Sequence, residues 1–204
     1  MKTTGEFFYR RRGWLGALLL IPTGFLVIVS SPHFSEGSLM DIAFDSGAWV
    51  LLVACIGLRF WATLYIGGRK EKELVTTGPY SLCRNPLYYG SLCGALSMAL
   101  FLGSYTLLVA VILVAAAYSR LVIPFEERRL EEVFGEAYRR YCAATPQLLP
   151  RTLKVRSPEQ IEVRLEALYG ETKRILRVCL IPILAEAIAY FRAAPWFPHW
   201  YRLP

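Results

Sequence analysis

The 204-residue chain carries a net charge of +7, yet 55% of its residues are hydrophobic and its mean hydropathy is +0.38, with the apolar residues gathered in long blocks. That profile describes a single multi-spanning membrane domain. Nucleic-acid binding is excluded because the basic residues are segregated by segment with no basic-aromatic motif, and a zinc site because the five cysteines form neither a CxxC pair nor a cluster with His.

The chain opens with a basic head, Arg10-Arg11-Arg12, and an apolar run from Trp14 to Val29. No convincing small-x-small cleavage pattern follows, so the run reads as a retained first transmembrane helix, kinked at Pro22, and not as a signal peptide. Residues 31–46 contain Glu36, Asp41 and Asp45 but no Lys or Arg, whereas Arg69, Lys70 and Lys72 follow the second span at 48–66. The positive-inside rule then puts the N-terminus in the cytoplasm. Arg59 lies within the second span, where it either snorkels to the cytoplasmic surface or faces a polar cavity among the helices.

Two further apolar runs, 91–102 and 106–123, are joined by Gly103-Ser104-Tyr105, a joint short enough for a tight helical hairpin beginning near Pro86 and ending near Pro124. Arg120 again falls near the cytoplasmic end. Beyond Pro124, Leu130, Val133, Phe134, Ala137 and Tyr141 recur at helical spacing and predict one amphipathic helix, with Arg128–Glu132 and Glu136–Arg140 placed to pair across a turn. Pro146 and Pro150 break the chain. Ser157-Pro158-Glu159-Gln160 has the form of a helix start, with Ile161, Leu165 and Leu168 as its buried face and Gly170 as its close. The run 175–191 contains Arg177, Pro182 and Glu186. A fifth span there would carry Arg192 and Arg202 outside, so an interfacial or re-entrant segment is expected, anchored by Trp196, Phe197, Trp200 and Tyr201.

The chemistry gathers in Glu73–Gly90, ELVTTGPYSLCRNPLYYG, where the chain re-enters the membrane. Asn85 and Pro86 suit an N-cap and a first helical turn. Arg84 beside that helix start, with Tyr80, Tyr88 and Tyr89, makes an anion site for a lipid headgroup, a carboxylate or an amino-acid-like cofactor. Topology brings Glu126-Glu127, which could otherwise serve only the helix dipole, beside Arg84-Asn85. Paired carboxylates opposite an Arg suit a zwitterionic ligand with a cationic centre.

GPYSLCRNPLYYG, followed one hairpin later by PFEERRLEEVFGEAYRRYCAATPQLLP, resembles the isoprenylcysteine carboxyl methyltransferase and phospholipid methyltransferase superfamily over about Gly67–Pro150. The resemblance implies S-adenosylmethionine at the cytoplasmic membrane edge and a lipid-like or small hydrophobic acceptor arriving from the bilayer. It places Gly78, Tyr80, Asn85, Pro86, Tyr88 and Gly90 around the cofactor, has Glu126 and Glu127 hold its polar groups, and has Arg84 orient cofactor or acceptor. Asn85 stands where eukaryotic prenylcysteine enzymes carry His, so no imidazole base is available there, and Glu127 is the candidate base for a neutral acceptor.

The expected architecture is an all-α, polytopic membrane bundle of about four transmembrane helices with cytoplasmic or interfacial C-terminal helices. Its parts are two N-terminal helices (1–66), a methyltransferase core (67–150) and a helical extension (151–204). Membrane lipids and the acceptor are the expected partners, with neither metal nor nucleic acid. A sterol-type NADPH-dependent reductase and a non-catalytic lipid-binding protein are the competing readings.

Overall fold

The computed structural model describes residues 12–30, 34, 37–69, 71–194 and 196, all helix, turn or irregular chain apart from one isolated bridge residue at Ser30. The basic head at 10–11 and the anchoring residues Phe197, Trp200 and Tyr201 lie outside the described residues.

Helix α1 spans Arg12–Ile28 and continues through Pro22. Helix α2, Leu39–Ile66, starts where Ser38 accepts a hydrogen bond from the Asp41 amide, and Asp41 in turn accepts from the amide of Gly37. Helix α3 spans Pro86–Phe101, and Gly103, at φ +57°, turns the chain into α4, Tyr105–Ala117, capped by Ser104.

Here the structure departs from the sequence reading. The fourth apolar helix does not end at Pro124. A π-helical turn at Tyr118–Val122 joins α4 to α5, Ile123–Phe134, as one 30-residue helix. Pro124 follows directly on this π-turn, whose wider hydrogen-bond pattern accommodates a residue without an N–H inside the helix. The amphipathic stretch breaks instead at Gly135, φ +55°, where α6, Glu136–Ala144, begins. The break changes the helical phase. Arg139 reaches across the break to Glu131 at 2.8 Å and within α6 to Glu136 at 3.4 Å, and Arg129 pairs with Glu71, in place of the expected Arg128–Glu132 and Glu136–Arg140 pairs.

Helices α2 and α3 form the most extensive contact in the bundle. Small residues on α3 allow the close approach: a Cβ on Gly90 would lie 2.7 Å from Arg59 Cγ, one on Gly94 would lie 2.9 Å from Cys55 Sγ, and Ser97 Oγ donates to the Ala48 carbonyl at 2.9 Å. In an apolar medium, such packing and interhelical hydrogen bonds replace the hydrophobic drive. At the far end of the bundle Phe34, Phe44 and Tyr105 meet edge to face.

Two helices, Leu39–Ile66 and Tyr105–Phe134, are long and apolar enough to cross a membrane, while 16–28 and Pro86–Phe101 are shorter apolar helices. The long helices leave Trp49, Val50, Val53, Val109, Ile112 and Leu113 exposed. A water-soluble core helix would bury such side chains, whereas a bilayer solvates them, so the chain is a helical membrane protein.

Residues 151–164 run as irregular chain, and no helix starts at Ser157. Its hydroxyl is hydrogen-bonded to the Tyr65 hydroxyl instead of capping. Helix α7 begins at Leu165 and continues through Gly170 to Val178, and α8 spans Ile181–Ala193. This pair follows the bundle from end to end. Gly67 and Gly68, just after α2, pack on Ala167 and Arg164, Glu171 binds Arg59, and at the far end Arg192 donates to the Ser30 and Leu102 carbonyls. The helix pair α7–α8 therefore lies along the bundle height. Of the two readings of Arg59, the polar cavity holds: its guanidinium also donates to Ser91 and to the Leu87 carbonyl, between helices.

Candidate active site

The site is built where three turns of chain meet at the α3 N-terminus. A 3₁₀ turn, Gly78–Ser81, precedes Arg84 and Asn85. Arg84 closes on Glu127 of α5 as a two-pronged fork, Nε to Oε1 at 2.8 Å and Nη2 to Oε2 at 3.1 Å. Its Nη1 donates to the carbonyls of Cys142 and Thr145 at 3.0 and 2.8 Å, and its amide donates to the Pro146 carbonyl. Four of the five guanidinium N–H groups are thus spent, leaving one on Nη2. Burial works to lower the Arg84 pKa, but the hydrogen bonds and charge of Glu127 outweigh it and raise it.

Asn85 takes the N-cap position of α3 yet makes no capping hydrogen bond. Its amide instead donates to Glu127 Oε1 at 3.2 Å and to the Gln147 carbonyl at 3.1 Å. Capping does not account for this residue; bridging α5 to the segment after α6 does. Glu127 is thereby held by donors from two successive residues, while Glu126, one position earlier on the same helix, stays outside the fork. The hydroxyl of Thr145, a residue that is 2% exposed and whose carbonyl binds Arg84, has no hydrogen-bond partner among the described residues.

The remaining motif residues divide between scaffold and cavity. Tyr80 is buried, and its carbonyl accepts a 2.7 Å hydrogen bond from the Tyr141 hydroxyl. Gly78, at φ +60°, donates its amide to the Arg156 carbonyl at 2.7 Å, and a Cβ there would lie 2.4 Å from the Tyr65 ring. Gly78→Ala combines a left-handed backbone with a clash against a buried ring and is expected to cost about 2–4 kcal/mol; a melting temperature in detergent unchanged from the parent protein would refute this. Pro86 is buried at the first position of α3, and Gly90 serves the α2–α3 contact. Tyr88 packs edge to face on the Tyr118 ring, centroids 6.0 Å apart, and both line a cavity of about 300 Å³ with Leu92, Val111, Ile123 and Leu148. Burial pushes the Cys83 thiol up to about 11 and raises Cys142, so neither offers a thiolate nucleophile near neutral pH.

The matched family model, phospholipid methyltransferase, covers residues 38–137, the span that carries both halves of this fork. A nickel-cobalt-cadmium resistance protein of Alcaligenes xylosoxydans is 34% identical over 152 residues, 74% of this chain and 70% of its own length. The chain belongs to the phospholipid and isoprenylcysteine methyltransferase superfamily. A cobalt-zinc-cadmium resistance protein of Cupriavidus metallidurans is 41% identical over 99 residues, 48% of this chain and 45% of its own. A probable protein-S-isoprenylcysteine O-methyltransferase of Oryza sativa is 32% identical over 100 residues, 49% and 52% of the two chains. No solved structure matches. Among the described residues no three His, Cys, Asp or Glu side chains come together to hold a metal.

The superfamily's Arg and Glu motifs meet as the sequence reading expects for Arg84, Asn85 and Glu127. What that reading missed are the carbonyls of Cys142, Thr145 and Gln147, which complete the polyvalent grip on Arg84 and Asn85. Backbone acceptors leave no residue-type signature; the only sequence trace is the break imposed by Pro146, which frees the carbonyls around it from helical pairing.

Proposed function

We propose that the protein transfers a methyl group from S-adenosylmethionine to a lipid-like or small hydrophobic acceptor, at the bundle end that faces the cytoplasm. The observation that carries this reading is the Arg84–Glu127–Asn85 fork, which joins both halves of the superfamily motif beside an apolar cavity.

The residues present fit the cofactor. Glu126 supplies a carboxylate for its ammonium group, the remaining Nη2 hydrogen of Arg84 and the first amides of α3 supply donors for its carboxylate, and the unpartnered Thr145 hydroxyl awaits a polar ligand. Bound there, S-adenosylmethionine supplies a methyl carbon made electrophilic by a sulfonium. Glu127, with both oxygens engaged, acts by positioning Arg84 and Asn85. The apolar cavity takes the acceptor and excludes water. For an anionic acceptor this favours the displacement, because charge is neutralised on the way to the transition state.

The test is calorimetric titration of the detergent-purified protein with S-adenosylhomocysteine and, in parallel, NADPH. Binding of the first alone is expected. Binding of NADPH alone would reassign the fold to a reductase, and silence toward both would leave a lipid-binding protein.

A further inference from the structure

A second cavity, about 560 Å³, lies between α2, α3 and the α7–α8 junction, and it shares Ser91 and Ala95 of α3 with the apolar one. Its size is within the roughly 300–1,000 Å³ of ligand pockets. The floor is apolar, formed by Cys55, Gly94, Ala95, Met98 and Ile181, and its polar rim is Arg59, Ser91, Arg174 and Arg177. One carboxylate serves this group. Glu171, 2% exposed, accepts from Arg59 at 2.7 Å and from Arg174 at 3.0 Å, while Arg177 is hydrogen-bonded to the Lys173 carbonyl of its own helix. Three guanidiniums and one carboxylate leave an excess of two positive charges around the cavity.

The depth makes this excess unusual. Arg59, the part-buried guanidinium of the group, lies seven residues before the end of α2, about 10 Å into the bundle at 1.5 Å per residue, while Arg174 and Arg177 at the rim are exposed. Leu176, Leu180, Ile183 and Leu184 beside it are exposed as lipid-facing side chains are. Cationic side chains at such a level are costly and ordinarily mark a site with an anionic partner. Arg174 and Arg177 belong to α7, beyond the part matched by the superfamily model, so the C-terminal helices supply one wall of the cavity, Arg174, Arg177, Val178 and Ile181.

We propose that this cavity binds a single-chain anionic amphiphile, its carboxylate or phosphate on Arg174 and Arg177 and its chain over Met98 and Ile181. The inference uses no residue of the Arg84 fork, although the two cavities share Ser91 and Ala95. The Arg174 and Arg177 guanidiniums are exposed and can be neutralised without opening the fold.

The test is native mass spectrometry of the full chain released from maltoside micelles with oleate, oleoyl lysophosphatidate or monoolein at equal concentration. One retained copy of an anionic lipid is expected, at least tenfold above monoolein; the better of the two names the headgroup as carboxylate or phosphate. Arg174→Gln/Arg177→Gln should remove that excess while leaving the melting temperature and S-adenosylhomocysteine affinity of the parent protein. Equal retention of all three lipids, or an anionic preference that survives in the double variant, would overturn the assignment.

Discussion

Arg84→Met is expected to abolish S-adenosylhomocysteine binding and to destabilise the protein by about 3 kcal/mol. The lower end of the range for breaking a buried pair applies because both side chains keep about 15% exposure. The loss leaves Glu127 without its fork and the carbonyls of Cys142 and Thr145 without a donor. Arg84→Lys should behave nearly as badly. An ammonium is a point charge with three donors and cannot match a planar carboxylate while also reaching two carbonyls. The informative variant is Arg84→Met/Glu127→Leu. Removing both charges eliminates the stranded carboxylate, so stability should recover by more than half while cofactor binding stays absent. A double variant that binds S-adenosylhomocysteine like the parent protein would reduce the fork to scaffolding. Calorimetry and thermal melts on the same samples separate these outcomes.

The fork was legible in the sequence because its partners are side chains with strong chemical identity, separated by one short hairpin whose ends must return to the same side. The same reasoning located the α2–α3–α4 arrangement from apolar runs and the Gly103 joint. It failed where the deciding interaction is not written in residue type. Pro124 looks like a terminus, but a π-turn absorbs it. Ser157-Pro158 has the grammar of a helix start, yet the Ser157 hydroxyl is drawn to Tyr65, 92 residues away, and the Arg156 backbone to Gly78 and Ser81. Local propensity of about 1 kcal/mol for an N-cap does not outweigh several such long-range bonds. The placement of α7 and α8 was hidden for the same reason. Arg192, counted by the charge rule against a fifth span, is sequestered at the far end on the Ser30 and Leu102 carbonyls.

Glu171 should prove the side chain that fastens the C-terminal helices to the core. Glu171→Ala leaves the Arg59 guanidinium, 13% exposed, with its carboxylate gone, and a loss of about 3–5 kcal/mol is expected. Arg174→Ala removes the exposed partner of the same carboxylate and should cost less than about 1 kcal/mol. Limited trypsin digestion reads the consequence directly, because 151–164 contains Arg151, Lys154, Arg156 and Arg164 and is held partly through contacts that depend on α7 staying docked. Faster cleavage there in Glu171→Ala, but not in Arg174→Ala, is the expected pattern; equal rates would mean that apolar packing alone holds the extension. Arg59→Met/Glu171→Leu then discriminates further. A packed apolar pair in place of a buried ion pair is commonly neutral or stabilising, so digestion should return to the parent rate. That variant removes one positive and one negative charge together and leaves Arg174 and Arg177 in place, so the cavity retains its excess of two positive charges. Its preference for an anionic lipid should therefore persist while the ion pair is absent, which separates the docking of the extension from the binding that the extension makes possible.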